Sequence, residues 1–566
     1  MLELEEHILD RLGKLPEDLK KTYDEIYGAM TKYEKIIADR AFQWVMCTCT
    51  PLNTETLLAA IWQDEKSSAL KPLGGLNKDL VLKYCRHLLV IDPVSGYWTP
   101  SHLSVIEYFE DYLWSQSQAN YLVTSVCLLL LQNAVLWNRQ EDWDRLNFYA
   151  KYYPSQDENG QKDPLDGQGF ESLASYAMNY WPIHAHRITE TNKKNEISTR
   201  LEEFLGLPTD SSRAYQCWHK FILHRKRYLP ENSFFSRNRS PDILLPTSVA
   251  SFTYCVCGLA TILPTWHDLA WIKDDIKTET GQTFLELAVI SGSIPTCRLL
   301  IKHGAEVNSQ TKSSAGSALV AAAVLGQKEV VELLLKEGGA EVDMQVQYGW
   351  FGSALIAATY WGQGEIVEFL VKEGGAEVNM QVQYGKCGSA LVAAAYGGQR
   401  KIVEFLVREG GAEVNMQVQY GSCGSALVAA AYGGQRKIVE FLVEEGRADV
   451  NLQLQYGEYG SALFAAAYWG WGEIVEFLVK DRGAEVNMEV QYGRYGSALV
   501  AAVAGREKEI VEFLLKEGGV DVNLQLQHGK YATALEAAEE RGESDIEQLL
   551  INYGAKIGES RGMVKR

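Results

Sequence analysis

The sequence predicts a mainly α-helical chain in two parts, a non-repeating helical half followed by a solenoid of stacked helical units. Three observations carry this. The motif "GSAL" begins at Gly316, Gly352, Gly388, Gly424, Gly460 and Gly496, and "ATAL" follows at Ala532, always 36 residues apart. The stretch "GSALVAAAYGGQRKIVEFLV" stands at 388–407 and again, unchanged, at 424–443. Before residue 281 the apolar residues keep helical spacing but no fixed period. A verbatim copy has no use in a unique core; it fits a stack in which each unit meets the same surroundings.

The totals narrow the function classes. The chain has 566 residues, 46% apolar and 22% charged, with a formal net charge of −19, which argues against a surface built mainly for phosphates or anionic lipids. Its start, "MLELEEHILD", lacks the basic and apolar regions of a signal peptide. The apolar run at 121–137 is interrupted by Thr124, Ser125, Gln132 and Asn133 and reads as a buried helix rather than a span, so no membrane is expected. None of the ten cysteines sits in a C-x-x-C pair, so buried thiols are expected and no metal site. These features suit a cytoplasmic protein.

In "LPEDLKKTYDEIYGAM" Leu15, Leu19, Tyr23 and Ile26 share a helical face, and "PLNTETLLAAIWQ" is a second amphipathic helix. "LLVID-PVSG-YWTP" reads as a β-hairpin around a Pro/Gly turn. Helices followed by a hairpin suggest a winged-helix-like domain over 1–115, then a helical region over 116–228 and a linker over 229–246. Leu15-Pro16, Tyr23, Pro51-Leu52 and "HLSVIEYFEDYL" (His102, Ser104, Val105, Glu107, Tyr108) resemble the winged-helix segment that follows the NACHT NTPase of fungal NLR-like (STAND) proteins. "SYAMNYWPIHA" (Tyr176, Ala177, Tyr180, Trp181, Pro182, His184) resembles the helical region after it. The P-loop of such proteins is missing: Gly13-Lys14 runs into Leu15 and Gly385-Lys386 into Cys387. "HLLVID" is then a hairpin strand rather than a Walker B strand, and neither nucleotide nor any other cofactor is expected. The region lacks a recognition helix rich in Arg or Lys, so direct nucleic-acid binding is not expected either. Arg225, Lys226 and Arg227 form the strongest basic cluster, readable as a nuclear-import signal, which would add a nuclear location, or as a solvated helix end.

Each repeat reads as two helices and an extended finger. A Ser such as Ser389 caps "ALVAAAY", a Gly turn follows, and "KIVEFLV" keeps helical spacing until "EGGAEVN" ends it. "NMQVQYG" alternates apolar and polar residues, as an extended segment with one face inward does. "GSALVAA", with Gly388, Ser389, Leu391 and Ala393 or Ala394, and "IVEFLVREGGAEVN" resemble the ankyrin repeat, and the long finger resembles fungal ankyrin-rich receptors. The period is 36 rather than the family's 33, and Ala390 and Val392 occupy its Pro and His slots. The resemblance implies about eight repeats over 281–556, a degenerate first unit over 247–280 and a tail over 557–566. It also implies that fingers and first helices line a concave, protein-binding face.

On that face Tyr348, Tyr384, Tyr420, Tyr456 and Tyr492 recur once per finger, and Tyr360, Tyr396, Tyr432 and Tyr468 once per first helix. Such invariant columns read either as stacking framework or as contact surface. Trp350/Phe351, Lys386/Cys387, Ser422/Cys423, Glu458/Tyr459 and Arg494/Tyr495 vary, as does the turn slot with Trp361 and Trp469. The candidate partner-binding residues are Trp350, Phe351, Trp361, Tyr384, Tyr396, Tyr420, Tyr432, Tyr456, Trp469, Trp471 and Arg494. H-E-x-x-H and G-x-S-x-G are absent, and His184 and His186 do not share a helical face, so catalysis is not expected. Three readings follow: a non-enzymatic recognition scaffold, NLR-like without a nucleotide switch; a nuclear ankyrin co-regulator of transcription; or a truncated fragment of a NACHT NTPase receptor.

Overall fold

The computed structural model describes residues 17–71, 74–133, 168–188, 194–224, 249–267, 277–278 and 281–556, and these are mainly helical. Arg225, Lys226 and Arg227, the 229–246 segment and the 557–566 tail lie outside the described residues. The chain divides into two compact units, one within Met1–Lys273 and Pro295–His303, the other within Asp274–Ile294 and Gly304–Arg566.

The first unit opens with helices Glu17–Gly28, Lys32–Cys47, Thr54–Trp62 and Lys78–Tyr84. The expected hairpin forms: Leu89–Ile91 pairs antiparallel with Trp98–Pro100, Val90 opposite Thr99. Helices Leu103–Tyr112, Gln116–Gln132, Gln168–His186, Lys194–Leu205 and Arg213–His224 follow, then Ala250–Val256. His102 caps its helix, its Nδ1 accepting from the Ser104 N–H at 3.1 Å. Phe42 and Phe109 stack with ring centres 4.0 Å apart, and Trp181 lies 5.5 Å from Trp218 in a buried aromatic cluster.

Beside that cluster a buried polar hub joins two helices and the loop after Cys47. The Tyr176 hydroxyl accepts from the Cys49 N–H at 3.0 Å and faces His184 Nε2 at 2.8 Å; His184 Nδ1 lies 2.8 Å from Asn120 Oδ1. His184 is fully buried, and desolvation with the Arg187 charge nearby lowers its pKa to about 3.

The second unit is a stack. First helices Ala318–Leu325, Ala354–Trp361, Ala390–Tyr396, Ala426–Tyr432, Ala462–Tyr468, Ala498–Gly505 and Ala534–Arg541 alternate with second helices such as Lys328–Lys336, Gly364–Lys372, Arg400–Arg408 and Arg436–Glu444. Ser317, Ser353, Ser389, Ser425, Ser461, Ser497 and Thr533 each cap a first helix by accepting the N–H three residues on. Their alanines are buried and let helix backbones approach closely. The Gly of "GSAL" has a spatial cause: a Cβ at Gly388 would come 2.5 Å from the Tyr420 carbonyl of the next finger. Each finger closes on its own repeat, as in the bond from Val382 N to Gly388 O at 3.0 Å.

Side chains add further ladders. Asn379 Nδ2 donates to Gly411 O, and its Oδ1 accepts from Glu413 N, binding one finger base to the next; Asn415, Asn451, Asn487 and Asn523 repeat the pattern. On the second helices Lys336 pairs with Glu373 at 3.0 Å and Lys372 with Glu409 at 2.8 Å, each cation also lying over the next repeat's Phe.

Candidate functional site

The two tyrosine columns part company. The first-helix column stacks: Tyr360 to Tyr396 is 5.9 Å between ring centres and Tyr396 to Tyr432 5.3 Å, with interplanar angles of 23° and 21°. Burial and Tyr432 beside it push the Tyr396 phenol up to about 12. The row continues through Tyr459, at 5.6 Å from Tyr432, to Tyr468 and then Tyr495, 4.9 Å on. It ends near Arg541, whose charge lies close to Tyr531, Tyr495 and Tyr468. Five inter-ring steps therefore form one continuous aromatic row. The finger column does not stack: Tyr348, Tyr384, Tyr420, Tyr456 and Tyr492 are exposed, with no ring pair between them among the described residues.

The paired variable slots also separate, by strand parity. Trp350, Lys386, Glu458 and Arg494 point out and are exposed. Phe351, Cys387, Cys423, Tyr459 and Tyr495 point in and are buried. Phe351 is thus a correction: it is 5% exposed and packs 5.1 Å from Tyr360, beneath the surface rather than on it. Burial pushes the Cys387 thiol up to about 12 and that of Cys423 to about 11, as inert core thiols.

Trp361 and Trp469 stand on the turn slot, 42% and 44% exposed. Trp469 Nε1 donates to the Tyr459 hydroxyl at 2.8 Å, and its ring lies 5.1 Å from Tyr432. Trp471 has a different position. Its Nε1 donates to Tyr432 O at 3.0 Å, as Gln399 Nε2 donates to Tyr360 O at 3.3 Å two repeats earlier, so the indole does a glutamine's structural work while remaining exposed.

Tyr396 and Tyr432 are half-buried in the row, while Tyr384, Tyr420, Tyr456, Trp350 and Arg494 lie on the fingers. Between Trp361 and Trp469 the same turn slot is Gly397 and Gly433, so two repeats present tyrosine edges with no side chain beside them. Sequence reasoning missed Arg541 as the end of the row; carrying the turn column one repeat further finds it. This surface offers aromatic contact area and hydrogen-bonding edges. Among the described residues no group of three or more His, Cys, Asp or Glu could hold a metal. Nor is any described helix long and apolar enough to cross a membrane.

Comparison with known proteins agrees with the repeat geometry. A family model described as ankyrin repeats (three copies) matches residues 261–346, 285–382, 319–418 and 391–490. The C-terminal region therefore contains ankyrin repeats, a module that typically binds proteins. No curated protein matches the chain.

Proposed function

We propose, from the premise that residues 261–490 are ankyrin repeats, that the chain is a non-enzymatic recognition scaffold binding a protein partner through the concave face of its array. One observation carries this reading: Trp350, Trp361 and Trp469 are exposed at slots where other repeats do without an aromatic ring. Exposed tryptophans flanking a tyrosine row are rigid contact area of the kind that dominates interface energetics. Within the same reading the first unit is a winged-helix-like domain and helical adaptor that docks to a second protein, as in an NLR-like receptor without its nucleotide switch. The hairpin following its opening helices supports that assignment. The reading needs no nucleotide, nucleic acid or cofactor.

The test uses the full chain as bait in a host-cell lysate beside two variants. Trp361→Ala/Trp469→Ala should lose the retained protein. Trp471→Gln, which restores the residue found at Gln399 and Gln435, should keep it. Equal recovery by all three, with unchanged thermal melts, removes the concave face as the binding surface.

A further inference from the structure

We infer that the partner offers this face an extended apolar segment with an acidic side chain near each end. The inference rests on the recognition reading above and adds the partner's chemistry. The outward finger slot forms a column held by backbone bonds: Lys386 N to Trp350 O at 3.0 Å, Glu458 N to Ser422 O at 3.0 Å, Arg494 N to Glu458 O at 2.9 Å. In a chain of net charge −19, Lys386 and Arg494 are exposed cations with no ion-pair partner among the described residues. Lys530 of the same column pairs with Glu540, and on the second helices Lys336 and Lys372 pair across repeats. Lys386 rests instead on the Trp350 ring, 4.0 Å from its centre, which leaves its charge open to a ligand.

Between these two cations the column holds Ser422 and Glu458, beside a surface floored by Tyr396 and Tyr432 with Trp361 and Trp469 at its ends. Packed helices sit about 8–10 Å apart, so three repeat steps from Lys386 to Arg494 span roughly 24–30 Å. An extended polyproline-like chain rises about 3.1 Å per residue and covers that span in roughly eight to ten residues. Its every third side chain returns after about 9.3 Å, close to one repeat, and its pre-ordered backbone loses little entropy on binding aromatic surfaces. Carboxylates at the two ends then meet Lys386 and Arg494. Glu458, the one anion in the column, calls for a neutral or basic residue opposite it.

Fluorescence anisotropy on the full chain tests this with labelled, proline-spaced peptides of roughly ten residues, carrying Leu and Tyr in the middle and Asp, Asn or Lys at both ends. The Asp-ended peptide should bind about three- to tenfold tighter than the Asn-ended one at low salt, and added salt should close the gap. Lys386→Glu/Arg494→Glu should reverse the order in favour of the Lys-ended peptide without changing the thermal melt. Trp361→Ala/Trp469→Ala should weaken all three. Equal affinity for Asp and Asn ends, an order that survives the charge reversal, or no binding by any peptide overturns the inference. If the tryptophan variant still loses the lysate partner while the peptides show no charge preference, the recognition reading stands and this one falls.

Discussion

The two units solve stability in opposite ways. In the first, buried residues have individual settings: His184 meets Asn120, Tyr176 and Cys49 from three different segments, and nothing else among the described residues repeats that arrangement. In the second, one setting recurs, so that Ser389 and Ser425 cap identical helices and Gly388 and Gly424 each face a tyrosine carbonyl 2.5 Å from where a Cβ would lie. A unique core concentrates the consequences of change, whereas a stack spreads them over equivalent joints.

The largest expected effect lies in the first unit. Trp218→Ala should destabilise it by about 3–5 kcal/mol, because a fully buried indole leaves both a cavity and an orphaned Met178 carbonyl, which now accepts from Trp218 Nε1 at 2.9 Å. Next comes pH. The folded pKa of His184, about 3, lies below its ordinary value of 6.5, so the unfolded state binds the extra proton between them. His184 therefore contributes full stability above pH 6.5 and loses it as pH falls towards 3. Denaturant titrations should show about 2–3 kcal/mol more acid destabilisation in the wild type than in His184→Gln between about pH 6.5 and 4.5. Equal slopes would mean that the hub is not built around a neutral imidazole.

The array should respond in smaller, additive steps. Ser389→Ala and Ser425→Ala should each cost about 1 kcal/mol and together about twice that. A double variant well off the sum would break the picture of equivalent joints. The smallest effect should be a gain. Arg447 has φ +56° where Gly375, Gly411, Gly483 and Gly519 stand in other repeats, so Arg447→Gly should stabilise by about 0.5–1 kcal/mol, read from the denaturant midpoint.

Repeat period, serine caps and the hairpin were legible because they depend on neighbours in sequence. The parity of the finger was only half legible: alternation was visible, but not whether Trp350 or Phe351 faced inward, which the Tyr360 ring decides. The Asn120–His184 contact, made across 64 positions, leaves no local sign. Nor did the charge swap between the fifth and sixth repeats. Glu444 takes a slot that is Lys372 or Arg408 elsewhere and would face Asp481, the counterpart of Glu409 and Glu445. Arg482 bonds Glu444 instead, at a position where Gly374 and Gly446 would each bring a Cβ 2.8 Å from a carbonyl oxygen, and the helix end opens into a π-turn over Phe477–Asp481. Charge pairing has been kept there at the expense of helix geometry. Arg482→Gly should return that end to an α-turn, visible in amide exchange, whereas Glu444→Lys alone, which leaves the Cβ at 482, should not.

The identity of 388–407 and 424–443 has a consequence for the gene as well as the fold. Since the surface each copy offers upstream matches the surface the other offers downstream, a chain that lost or gained one 36-residue register there would close over the joint without a mismatched contact. Misaligned recombination between the two copies would thus lengthen or shorten the notch between Trp361 and Trp469 in single steps, resetting the length of segment it can hold while leaving every interface intact.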